Sequence, residues 1–319
     1  MIRSRRAKWT ALVSVAALAM ASATIGGTQG AFAGQTDEGL NVITAMPDFR
    51  GPTVSPIAIG KDSGGATGFI HTGATYRIYA QVTDVGSPAS GTAAVLANVS
   101  NLTVGQVAVP LVAGSYTAGG VSYNYRSAVL TAGTLPAGPL TFSVTATDLA
   151  ANATLASGSV MVDNTAPAAA NISASGGIAG RPEVGDVLTL TTNDTLDTYS
   201  LLANWTGAAT TVQVRIVNQG GGDRLQVWDS TGLTQIPFGT INLGRTDFTV
   251  TTLAFNGSTM TQSGTSITIT LGAPEVGLVT TVAGTGTMTW NPSATGTDRA
   301  GNPMTTGVFN EPAPVDIDF

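Results

Sequence analysis

Cysteine is absent from the chain and histidine occurs once, at position 71. The first absence excludes disulfides, thiolate catalysis, iron–sulfur clusters and cysteine-ligated zinc. The second excludes any site that needs two imidazoles. Charge is scarce too: 10% of the 319 residues are Asp, Glu, Lys or Arg, and Lys61 is the only lysine beyond position 8. No G-x-x-x-x-G-K-[ST] phosphate loop and no G-x-S-x-G nucleophile elbow occurs. A serine triad would have to use His71, which stands beside Gly73 in a turn-rich stretch where a surface role is the plainer reading. The four glutamates, Glu38, Glu183, Glu275 and Glu311, show no spacing that selects the carboxylate pair of a glycosidase. These gaps point away from catalysis.

What is abundant suits strands. Hydrophobic residues reach 43%, enough for real cores, and 40 Gly and 15 Pro supply turns, whereas long helices want the Glu, Lys and Arg that are missing. At 319 residues the chain is long for one domain and comfortable for two.

The first 33 residues read as a signal peptide. Arg3, Arg5, Arg6 and Lys8 precede an apolar run from Trp9 to about Ala23, and Ala31-Phe32-Ala33 is a small-x-small cleavage pattern. The run is shorter than the ~20 residues of a spanning helix. Residues 34–49 read as a flexible segment, and no later segment is apolar enough to span a bilayer. Removal of the leader leaves nine basic against 19 acidic residues, a net charge of about −10, which repels nucleic acid and anionic lipid. The expected location is the cell surface or the medium.

Alternation of apolar and polar residues predicts strands at Val54–Ile59, Thr75–Asp84, Thr92–Val99, Val104–Val112, Val121–Leu130, Leu140–Thr147 and Thr154–Val162. Seven short strands separated by Gly, Pro, Asn and Asp clusters are the pattern of an antiparallel sandwich. The second half repeats the style. Val212 to Ile216 and Leu225 to Val227 flank a glycine-rich turn, and Val187–Thr192, Phe248–Phe255, Ile267–Leu271, Thr287–Trp290 and Val315–Phe319 follow as further strands. Leu196–Ala203 predicts a short helical turn capped by Asp197. The fold class expected is all-β, with antiparallel β-sandwich units at 50–164 and 171–319 and a linker at 165–170.

Two motifs carry a family resemblance. Thr145-Ala146-Thr147-Asp148-Leu149-Ala150-Ala151-Asn152, followed by Val162-Asp163-Asn164-Thr165-Ala166-Pro167, resembles the closing strands and linker of bacterial immunoglobulin-like domains, which read T-A-T-D-x-A-G-N and V-D-N-T-A-P. Ala151 stands where that pattern has Gly. The second half carries a similar Thr297-Asp298-Arg299-Ala300-Gly301-Asn302 and opens on Glu183-Val184-Gly185-Asp186, similar to the G-x-x-E-x-G-D start of such units. The resemblance implies two tandem immunoglobulin-like domains and a non-catalytic structural, adhesion or binding role toward envelope or extracellular proteins or polysaccharides.

Two kinds of ligand site are consistent with these residues. Asp148, Asp163 and Asn164 are candidate calcium ligands, by analogy with acidic linkers between tandem domains, since calcium takes hard oxygen ligands. Ordinary turn chemistry is the plainer reading of them. No other cofactor is expected. Trp205, Trp228 and Trp290 are candidate sugar-stacking rings, which requires them to share an exposed face; core packing is the competing role.

Overall fold

A computed structural model describes residues 48–275, 279–314 and 316–319. The expected leader, residues 1–33, and nearly all of the 34–49 segment lie outside the described residues. The chain is all-β, with two sheets, each around its own apolar core. Among the described residues one helix occurs, and no helix is long and apolar enough to cross a membrane.

The first sheet is built from β1 (Thr53–Lys61), β2 (Phe69–Ile70), β3 (Thr75–Thr83), β4 (Thr92–Asn98), β5 (Val109–Ala118), β6 (Val121–Ser127), β7 (Leu130–Thr131), β8 (Gly138–Asp148) and β9 (Ala153–Val162). Its order is β1-β3-β6-β5-β4-β8-β9-β2, with β7 on β3. Hydrogen bonding runs unbroken along this path because β5 pairs β4 through Val109 and Pro110 and β6 through the rest of its length. The ends then meet: Gly60 bridges Thr67, and Gly68 N–H donates to the Ile59 carbonyl at 2.7 Å. The sheet thus curls nearly to closure, where two separate slabs were expected. Tyr76, Ile78, Ala80 and Val82 of β3 point inward onto Val95, Ala97, Val144 and Val160, one face of each strand.

The predicted strand at 104–112 begins later. Gly105 takes φ +82 in a turn closed by Gln106 N–H on the Thr103 carbonyl, which leaves Val104 exposed. The β5–β6 hairpin turns on Gly119-Gly120, both at positive φ as a tight type I′ connection demands.

The second sheet contains β10 (Ala169–Ser175), β11 (Val187–Thr192), β12 (Thr210–Val217), β13 (Arg224–Asp229), β14 (Thr240–Asn242), β15 (Leu253–Ser263), β16 (Ser266–Thr270), β17 (Ala273–Pro274), β18 (Thr289–Asn291) and β19 (Phe309–Asn310). Its order is β10-β11-β16-β15-β12-β13-β14-β18-β19, with β17 on β15. Strand β10 starts inside the expected 165–170 linker, because Ala169 already pairs with Thr192. The predicted β12–β13 hairpin is present, and so is the predicted helical turn, α1 (Thr198–Leu201), with Asp197 as its N-cap.

Two other expectations fail for identifiable reasons. Phe248 and Thr249 do not open a strand, since their N–H groups are held by the buried Asp223 carboxylate at 3.0 and 3.1 Å. Residues 316–319 form no final strand; Val315 lies outside the described residues. Phe319 instead drives its ring into the core edge-on to Phe248, with the centroids 6.3 Å apart. Alternation cannot distinguish a paired strand from an extended segment laid across a core.

Candidate functional site

The two halves meet at Lys61, the last residue of β1. Its ammonium lies 2.5 Å from Asp197 Oδ2 and donates to the Asp298 carbonyl at 3.2 Å, with 6% and 4% of the two paired side chains exposed. Asp197 does three tasks at once: it pairs with Lys61, accepts from Ala66 N–H at 3.3 Å and caps α1 through Tyr199 N–H at 3.2 Å. Further ties flank the pair. Asn302 Nδ2 donates to the Asp163 carbonyl at 2.9 Å, and the Arg299 guanidinium lies 4.1 Å from the centre of the Phe69 ring. Beside this contact a cleft of about 510 Å³ opens between the halves, bordered by Gly64, Tyr79, Tyr199 and Trp205.

Both T-D-x-A-x-N segments form the same turn. Asp148 accepts from Asn152 N and Nδ2, each at 2.8 Å; Asp298 accepts from Asn302 N at 2.9 Å and Nδ2 at 2.8 Å. Ala151 takes φ +68 where Gly301 takes φ +95, so the alanine keeps the geometry of the glycine turn.

Three carboxylate clusters have oxygens within 4.8 Å of one another: Asp48, Asp84 and Asp148; Asp163, Asp194 and Asp298; and Glu311, Asp316 and Asp318. The expected calcium ligands are therefore dispersed over the fold. Asp148 belongs to the first cluster and Asp163 to the second. The Asn164 side chain accepts from Thr72 N–H at 2.8 Å and donates to the Leu135 carbonyl at 3.0 Å.

In the first two clusters every carboxylate accepts N–H bonds from the chain. Asp48 is served by Arg50 and Ser90, Asp84 by Gly86 and Gly91, Asp163 by Thr165 and Asp194 by Thr195. The amides that cap Asp48, that of Arg50 foremost, hold its carboxyl below the usual range. Burial, followed by the charges of Asp163 and Asp298, pushes Asp194 up.

The third cluster differs. Asp318 is buried, with 3% of its surface exposed, and among the described residues neither of its oxygens has a hydrogen-bond partner. Burial first, then the charges of Glu311 and Asp316, pushes its carboxyl up to about 8.

The three tryptophans do not share an exposed face. Trp290 is fully buried, with its indole N–H on the Phe238 carbonyl at 2.8 Å, and Trp205 is buried with its N–H on the Ala208 carbonyl at 2.7 Å. Trp228 is half-buried, its ring covered by the Arg215 guanidinium at 4.3 Å. The sugar-stacking expectation is thereby corrected: the indoles fill core or support the sheet. His71 Nδ1 lies 2.8 Å from the Thr72 carbonyl.

The outward face of β4, β8 and β9 is uncharged throughout. Leu96, Thr145 and Leu155 form one cross-strand row, Asn98, Ser143 and Ser157 the next, and Ala94, Thr147 and Ala153 another. Leu155 is 65% and Leu96 40% exposed.

No protein-family model matches the chain, and no curated protein matches it.

Sequence reasoning missed Asp197 as a junction residue and the Glu311–Asp316–Asp318 group altogether. A signal for the first existed: the one lysine beyond position 8 is an unusual residue to find in a strand otherwise apolar or neutral.

Proposed function

We propose that this chain is an exported, non-catalytic surface protein made of two tandem immunoglobulin-like units, which binds envelope or extracellular proteins or polysaccharides through a sheet face. The observation that carries the reading is the uncharged outer face of β4, β8 and β9, in a chain whose formal net charge is −6. An uncharged array of Ser, Thr, Ala and Leu can be desolvated against a partner at little electrostatic cost. The repeated Asp-x-Ala-x-Asn turns support the immunoglobulin-like assignment, and the Lys61–Asp197 contact gives the pair of units a fixed joint from which to present that face.

The test is a comparison of intact cells producing the native chain or a Leu96→Glu/Leu155→Lys variant. Protease added outside should remove the native protein, whose mature form should begin at Gly34. The doubly charged variant should fold, because both side chains are exposed, yet be lost from the envelope fraction. Protection of the native chain from external protease, or undiminished retention of the variant, contradicts the proposal.

A further inference from the structure

The Glu311, Asp316 and Asp318 cluster stands apart from the proposed binding face and from the junction. Glu311 follows β19, and its Oε2 accepts from Met288 N–H at 3.2 Å, next to β18. Asp316 and Asp318 come from the extended segment that leads to the core residue Phe319. That segment is tied at two points: Gly286 N–H donates to the Asp316 carbonyl at 3.1 Å, and Gly180 N–H donates to the Phe319 carbonyl. The three carboxylates therefore arrive from two separate stretches of chain and converge.

Convergence of three negative groups is unfavourable unless something offsets it. Among the described residues no Lys, Arg or His pairs with any of them. Asp318 sharpens the problem, since a carboxylate with 3% exposure and both oxygens unpartnered among the described residues has lost its water without a hydrogen bond there in exchange.

A cation removes the imbalance. Oxygens bound to one calcium ion at about 2.3–2.6 Å can stand no more than about 5 Å apart, and the carboxylate oxygens here all lie within 4.8 Å of one another. The donor set is oxygen only, which selects hard cations over zinc or copper.

We infer that Glu311, Asp316 and Asp318 bind a divalent cation of the calcium type, which fastens the 316–319 segment and the Phe319 ring to the β18–β19 ladder. Asp318 supplies the inner oxygens, Glu311 is oriented by Met288 N–H, and the half-open side at Asp316 admits the ion and its remaining waters. The proposal is independent of the surface role: a buried cation can hold this segment whatever the sheet face binds.

The test is calorimetric titration of the metal-depleted full chain with calcium chloride, beside Asp318→Asn and Glu311→Gln. Asp318→Asn preserves shape and should take up one calcium ion fewer per chain. Glu311→Gln, at a partly exposed position, should weaken that ion by about tenfold or more, as loss of a coordinating charge does. Calcium should also raise the melting temperature of the native chain more than that of Asp318→Asn. Equal stoichiometry and affinity in the native chain and both variants would overturn the inference, as would a native melting temperature indifferent to calcium. Should Asp318→Asn fail to fold, Glu311→Gln alone decides.

Discussion

Lys61 and Asp197 stand 136 residues apart in sequence and 2.5 Å apart in space, and their contact is the buried joint between the two cores. A strand end of the first sheet thereby touches the N-cap of α1, the helix between β11 and β12. Neither charge has water to fall back on, so each depends on the other.

Removing one partner should cost more than removing both. Lys61→Met leaves the Asp197 carboxylate buried and uncompensated, and should destabilise by about 3–5 kcal/mol. In Lys61→Met/Asp197→Asn the asparagine still caps α1, because Asn serves that position as well as Asp. The double variant should recover most of the loss in chemical denaturation. A double variant as unstable as Lys61→Met would show that the pair is not what couples the halves.

The two Asp-x-Ala-x-Asn turns offer a matched substitution. Ala151 holds a left-handed φ of +68, which a side chain resists by about 1 kcal/mol. Ala151→Gly should therefore raise stability, by less than that after the extra entropy of the unfolded glycine is counted. Gly301→Ala should lower it by more, since its φ is +95 and the new Cβ would come within 3.1 Å of Lys61 Cδ. Paired melting curves measure both, and a loss of stability in Ala151→Gly counts against the strain.

Asp223 is fully buried and holds the amides of Phe248 and Thr249 at 3.0 and 3.1 Å. Asp223→Ala strands two buried donors and should cost about 3 kcal/mol or more, at about 1–3 kcal/mol for each unsatisfied group. Both amides donate to the same oxygen, Oδ2, so Asp223→Asn, which keeps one acceptor oxygen, should cost less than Asp223→Ala. Equal stability of all three proteins in urea titration would refute the assignment.

Tyr76 is fully buried, its hydroxyl 2.8 Å from Thr103 Oγ1, and burial raises its ionisation above 10.0. The folded state then keeps a proton that the unfolded chain releases, so the contribution to stability is complete below the unfolded value and is lost as pH climbs through the folded one. Stability should fall with alkaline pH above about 10. Tyr76→Phe should flatten that decline at a small cost below it; an unchanged alkaline slope in the variant would locate the titration elsewhere.

How much of this was legible depended on whether the signal was local. The β12–β13 hairpin, the Asp197 cap and the strands of residues 75–83 and 92–98 follow from alternation and turn chemistry within a few residues. The start of β5 was displaced because Gly105 turns the chain inside an apolar run, and the start of β15 because a carboxylate 25 residues upstream holds the amides of Phe248 and Thr249. The tryptophans stayed open between sugar stacking and core packing because sequence shows that an indole is present but not which side of a sheet its neighbours cover.

By itself, the sequence determined an all-β chain without cysteine, nearly without histidine or lysine, because strand period and turn residues act over neighbouring positions. Tertiary structure alone decided that the first sheet curls almost onto itself, that Lys61 faces Asp197, and that Glu311, Asp316 and Asp318 converge beside Phe319. Those outcomes depend on how distant segments share one buried volume, and electrostatic cost is set by that shared burial rather than by any residue's neighbours in the chain.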